Sequence, residues 1–69
     1  MIVKFTMNKP EPKKNSTRFN FEAVESILDQ EGKEYPEAPF DTSRFDPSFY
    51  VPLPLARSAK RIRVTIEEL

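Results

Sequence analysis

The chain has 69 residues, eleven basic and eleven acidic, with a hydrophobic fraction of only 38% and neither histidine nor cysteine. One domain, residues 1–69, is the expected organisation, and a domain of this size buries only about 60% of the surface its unfolded chain exposes. The missing His and Cys exclude disulfide staples, thiolate nucleophiles, imidazole acid–base catalysis and the usual zinc, iron and copper ligand sets, and the single glycine excludes a Gly-rich phosphate loop.

Residues 2–7 alternate Val3, Phe5 and Met7 with Ile2, Lys4 and Thr6, which predicts a strand. Asn8 to Asn15 carries Pro10 and Pro12, which cannot donate to a ladder, and reads as a turn or loop. Ser16 to Phe21 reads as a second strand, with Thr17, Phe19 and Phe21 on one side and Ser16, Arg18 and Asn20 on the other. The two strands are close enough in sequence to pair as a hairpin.

From Phe21 to Glu31 the period changes. Val24, Ile27 and Leu28 fall at i, i+3 and i+4, and this spacing predicts a short amphipathic helix over 21–31 with Asn20 as its N-cap and Gly32 just past its end. Lys33 to Pro47 has no period and reads as a long loop carrying Pro36, Pro39 and Pro47, with Tyr35, Phe40 and Phe45 as anchors to the body. Phe49-Tyr50-Val51 reads as a brief strand, and Pro54 can open one helical turn after it. The clearest strand comes last, with Ile62, Val64 and Ile66 alternating with Arg61, Arg63, Thr65 and Glu67. The expected fold class is α+β: a small antiparallel sheet made of a hairpin and a C-terminal strand, with one short helix and a long Pro-containing loop.

Two blocks of the chain, Lys14-Asn15-Ser16-Thr17-Arg18-Phe19 and Lys60-Arg61-Ile62-Arg63-Val64-Thr65-Ile66-Glu67, resemble a group of small bacterial proteins that read K-N-T-x-R-Y near the N-terminus and end like K-I-R-V-T-I-E. Ser48-Phe49-Tyr50-Val51-Pro52 is similar to the Tyr-containing run between those blocks. The resemblance covers less than half of the chain, leaves Phe21 to Pro47 unaccounted for, and implies only a compact β-rich domain.

Charge is unevenly distributed. Residues 1–20 hold five basic side chains and one acidic, residues 21–46 eight acidic and two basic, and residues 47–69 four basic and two acidic. Asymmetry of this kind bears on partners more than on fold. If the three main strands share a sheet, their polar faces gather Lys4, Arg18, Arg61 and Arg63, with Lys13 and Lys14 on the adjoining turn, into a candidate binding face. Such a face can attract phosphates, so nucleic-acid binding through the backbone is one expectation. Against it, Phe5, Phe19 and Phe21 fall on the opposite, buried side, where they cannot stack on bases, and the sequence pI of about 6.2 is low for a nucleic-acid domain. A charge-neutralised face, with Arg61 and Arg63 paired to Glu67, Glu68 or the acidic middle, is the plainer alternative.

The favoured expectation is a non-catalytic protein-interaction module. A small domain with a thin core and no disulfide or metal gains most from a partner subunit, which points to a homodimer or another protein partner. The contact would use a sheet edge or the aromatic-bearing segment with Tyr35, Phe40, Phe45, Phe49 and Tyr50. No cofactor, metal or small-molecule ligand is expected. No apolar run approaches the ~20 residues of a membrane span. Met1 to Phe5 lacks the basic start and long apolar middle of a signal peptide, so the expected location is cytoplasmic.

Overall fold

Two long strands run side by side through the whole molecule. In the computed structural model, which describes residues 1–69, β1 (Ile2–Pro12) and β2 (Ser16–Leu28) form one antiparallel hairpin. Eleven extended residues span about 36 Å, close to the 40 Å long axis of the molecule. Two shorter strands flank the hairpin on opposite sides. β3 (Ser48–Pro52) pairs with β2, β4 (Ile62–Glu67) pairs with β1, and the order is β3-β2-β1-β4 with every neighbour antiparallel. The helical content is one turn, α1 (Leu53–Ala56), and a 3-10 turn at Thr42–Arg44. The fold is thus a mostly β, four-stranded antiparallel sheet with little helix.

The helix expected over 21–31 does not form, and this segment is instead the second half of β2. The reason lies in the pairing. Phe21 is opposite Met7, Val24 opposite Phe5 and Ile27 opposite Val3, so three residues of β2 advance for every two of β1. Glu22 and Glu25 are the extra residues, one at each of two β-bulges. Each bulge inserts one polar residue between inward-facing apolar ones and turns a period of two into a period of three. That spacing is close enough to 3.6 to imitate a helix.

The signals that accompany the expected helix have other roles. Asn20 is no N-cap: its side-chain amide donates to Glu11 Oε2 at 2.7 Å. Gly32 does take a left-handed conformation, φ +84°, but in the turn that follows β2. There Asp29 accepts from the backbone N–H groups of Glu31 and Lys33, and the chain folds back so that Tyr35 N–H reaches Ile27 C=O at 3.1 Å.

The first strand is longer than its alternation suggested, and the loop expected from Asn8 to Asn15 shrinks to the residues around Lys13–Asn15. β1 tolerates Pro10 because the ladder is interrupted there: pairing jumps from Asn8 opposite Asn20 to Glu11 opposite Arg18, and Lys9 adopts φ 53°. Pro12 closes the strand opposite Thr17. The brief strand at Phe49–Val51 forms within Ser48–Pro52, and one helical turn follows at Leu53–Ala56, with Pro54 as its second residue rather than its first.

The core is one face of this sheet. Only eight residues are buried, and six of them, Val3, Phe5, Met7, Phe19, Ile27 and Ala56, form the apolar cluster. With so few members each carries a large share of the stability. Phe5 is central: it pairs with Val24 and Val64 on its two neighbouring strands. Its ring also meets Phe45 edge-on at 5.0 Å and stacks near Phe49 of β3 at 6.4 Å. Contact between Phe5 on β1 and Phe49 two strands away means that the sheet curls around its apolar face. Phe45 also meets Phe21 edge-on at 5.3 Å and Phe40 at 5.5 Å, so these two loop aromatics close the open side of the curl.

Candidate functional site

The opposite, polar face is built by the two bulges. Because Glu22 and Glu25 are the extra residues of β2, their side chains emerge on the side away from the core and reach over β1 toward β4. Arg61 donates to Glu22 through two parallel bonds, from Nε at 2.9 Å and Nη2 at 2.8 Å, and Arg63 Nε donates to Glu25 at 2.8 Å. Asn8 adds a bond to Glu22 at 3.2 Å. The forked bond to Glu22, together with its charge, raises the Arg61 pKa above its ordinary value. Beneath these pairs, between Ala23 and Arg63, lies the buried Thr6, whose hydroxyl donates to Ala23 C=O at 3.4 Å.

The cationic face expected from the strand pattern is therefore charge-paired at this end. Arg61 and Arg63 have their carboxylates within the chain, supplied by residues that the period of three had assigned to a helix. Lys4 lies on the same face, half-buried between Ser26 and Thr65 and in no ion pair. Lys13 and Lys14 are exposed at the hairpin tip, far along the hairpin from Arg63. Arg18 sits between Glu11 and Tyr50 near that tip, and its Nε is buried with no hydrogen-bond partner. The six candidate basic residues thus split into two groups. Near the tip, the hydrogen bond from Asn20, aided by the nearby charges of Arg18 and Lys13, holds the Glu11 carboxyl below its usual range.

The aromatic candidates divide as well. Phe40 and Phe45 point into the core, and Phe49 lines the curl at its edge. Tyr50, on the other face of β3, is 62% exposed, and Tyr35 is exposed beyond β2. The two tyrosines and the outer part of Phe49 remain at the surface. No three carboxylates come together where they could hold a metal ion, and no helix is long and apolar enough to cross a membrane.

The feature that sequence reasoning did not single out is the contrast between the sheet edges. In β4, Glu68 N–H bonds to Met1 C=O, which fixes the alternation: residues 62, 64 and 66 face β1 through their backbone groups, and Arg63, Thr65 and Glu67 turn theirs outward. No backbone or side-chain group of the chain meets that outward row. The strand has no bulge against β1 and no proline, two of the devices that commonly blunt an edge, and its charges are one of each sign, Arg63 and Glu67. Ile66 on its apolar side is 47% exposed. In β3, by contrast, Leu53 N–H bonds to Asn15 C=O, so the outward positions are Ser48, Tyr50 and Pro52, and the proline has no donor. The legible signal for β4 was its clean alternation, but which strand lies at an edge depends on the strand order, which no local pattern encodes. No protein-family model matches this chain, and neither the curated proteins nor the solved structures contain a match to it.

Proposed function

We propose that this chain is a non-catalytic protein-interaction module that binds by strand addition, taking an extended partner segment onto the β4 edge. The single observation that carries this reading is the outward row of Arg63, Thr65 and Glu67, whose N–H and C=O groups have no partner in the fold. Main-chain bonds from such a row supply affinity, and side chains on alternate positions supply selectivity. The half-exposed Ile66 gives the incoming strand an apolar surface on one face, and Arg63 and Glu67 give it charges of both signs on the other.

The test is site-directed photo-crosslinking in the producing cell. A photoreactive residue replaces Arg63 in one variant and Glu67 in another, and the adducts are mapped by mass spectrometry. Strand addition requires both positions to label one extended segment, with the order of labelled residues reversed for an antiparallel partner or maintained for a parallel one. It also requires Thr65→Pro to abolish the adducts. Adducts scattered over unrelated surfaces, or none at all, would remove the reading.

A second reading has an observation of its own. Lys9, Lys13, Lys14, Arg57 and Lys60 lie at or near the hairpin tip, all exposed and none paired with a carboxylate. This group could engage a nucleic-acid backbone. Anisotropy with labelled DNA and RNA at low and near-physiological salt, repeated on Lys13→Glu/Lys14→Glu, separates it from the first reading. Binding that weakens steeply with salt and is lost in that variant supports it, and no binding at low salt retires it.

A further inference from the structure

We infer that the strand added to β4 is the β4 of a second copy of this chain, in an antiparallel two-fold register centred on Thr65. This rests on the reading of β4 as a strand-addition edge and specifies its occupant.

Arg63, Thr65 and Glu67 offer their N–H and C=O groups outward. Antiparallel pairing of two identical strands must match outward residues with outward residues, so the two-fold axis can fall only at certain positions. Centred on Arg63, it sets Arg63 against its own copy; centred on Glu67, it sets two carboxylates together. Like charges directly opposite each other destabilise a sheet. Centring on Val64 requires Arg61 to join the ladder, although Arg61 lies outside the strand and its guanidinium is committed to Glu22. Centring on Ile66 leaves Arg63 without an opposite residue inside the strand. Centring on Thr65 uses all three outward residues of both copies.

In that register the residues from Arg63 to Glu67 meet suitable partners. Arg63 lies opposite Glu67 of the second copy, and Glu67 opposite its Arg63. Glu67 has no ion pair within the chain, and Arg63 uses only its Nε toward Glu25, leaving its terminal nitrogens free. Thr65 faces Thr65, a favourable cross-strand pair. On the apolar face, the half-exposed Ile66 lies against Val64 of the second copy in the closer type of pair, with Cα atoms about 4.5 Å apart. Two four-stranded sheets become one continuous sheet, and both β4 edges disappear. A single strand pair buries less than the ~1,600 Å² of a standard stable interface, so the expected affinity is that of a weak, transient contact.

The register dictates the experiment. Sedimentation equilibrium of the intact chain, from about 1 to 500 µM to bracket that expected affinity, is run on wild type, Glu67→Arg, Arg63→Glu, and an equimolar mixture of the two variants. Wild type should dimerise. Each variant alone should self-associate at least tenfold more weakly, because its cross-strand pairs between positions 63 and 67 become like-charged. The mixture should regain dimer, because the two basic side chains of the Glu67→Arg chain then lie opposite the two acidic side chains of the Arg63→Glu chain. Recovery in the mixture also excludes misfolding as the cause of the loss. Because the chain has no cysteine, Thr65→Cys gives a second readout: paired Cα atoms about 5.5 Å apart allow a disulfide, so mild oxidation should link dimers through residue 65 but not through a control Ser43→Cys. Wild type that stays monomeric to 500 µM, or a mixture no more dimeric than its components, overturns the inference. If the chain is monomeric but crosslinks at residues 63 and 67 still map to an extended segment of another protein, strand addition stands and self-pairing does not.

Discussion

The two edges of this sheet are built from similar material and finished differently. β3 and β4 are both short, both flank the same hairpin, and both place alternate apolar side chains over the same core. β3 is enclosed by proline: Pro47 precedes it, Pro52 occupies one of its three outward positions, and Pro54 lies in the turn after it. β4 has none of this and leaves a regular outward row. An edge is made safe by removing donors and interrupting regularity, and only one of these two edges has been treated so. The difference locates the interaction surface better than composition does, because the apolar content of the two strands is comparable.

The largest perturbation removes what the two edges share. Phe5 pairs with Val64 of β4 and stacks near Phe49 of β3, so Phe5→Ala should cost about 3–5 kcal/mol and unfold most of the protein, read by urea denaturation. A variant that keeps its midpoint would mean that the edges do not depend on a common core. Phe45→Ala removes the ring that closes the curl over Phe5 and Phe21. We expect about 2 kcal/mol there, less than for Phe5 because Phe45 is only half-buried.

The contrast itself is sharpened by placing a proline at an outward position of each strand. Thr65→Pro should weaken self-association at least tenfold while costing about 1 kcal/mol of fold stability, since the lost N–H bonds to nothing within the chain. Tyr50→Pro should leave association unchanged. Equal effects in sedimentation would erase the distinction between the edges. A smaller effect is expected on the polar face, where Glu25→Ala breaks one exposed pair with Arg63 and should cost about 0.5 kcal/mol by thermal denaturation.

The smallest effect is a pH dependence near the hairpin tip. The Glu11 pKa is lowered in the folded state, chiefly by Asn20, so its contribution is fully present above the ordinary carboxylate range and is lost as pH falls through the lower folded value. Glu11→Gln should flatten the acid side of the stability profile. A profile that keeps its slope would assign the acid sensitivity to other carboxylates.

Much of the fold was legible where the local pattern and the pairing agree. Val3, Phe5 and Met7, then Thr17 and Phe19, then Ile62 and Val64 alternate cleanly and lie on the core face as their period demands. The pattern failed at Phe21 to Leu28, because a bulged strand and a helix both set apolar residues about three apart, and only the partner strand distinguishes them. Loss of that segment hid the site as well. With Glu22 and Glu25 placed on a helix, the pairing of Arg61 and Arg63 with the acidic middle stands as an alternative to a cationic face, but which carboxylates supply it is not legible. By sequence Tyr35, Phe40 and Phe45 read both as anchors and as part of a docking segment; Phe40 and Phe45 are anchors and Tyr35 is exposed, a division that a segment without period does not encode.

The flanking strands also occupy different lengths of the hairpin: β3 pairs with residues 16–20 of β2, whereas β4 pairs with residues 2–7 of β1. The irregular stretch at Lys9 and Pro10 lies within the β3 half of the hairpin, opposite Phe19, and not in the half that β4 covers. Little beyond the hairpin and the rings around Phe5 ties one end to the other. Such a molecule can open locally at the tip while the other end stays closed, so its amide protons should exchange in two separate classes rather than one. Contact made at either end could then alter breathing at that end alone.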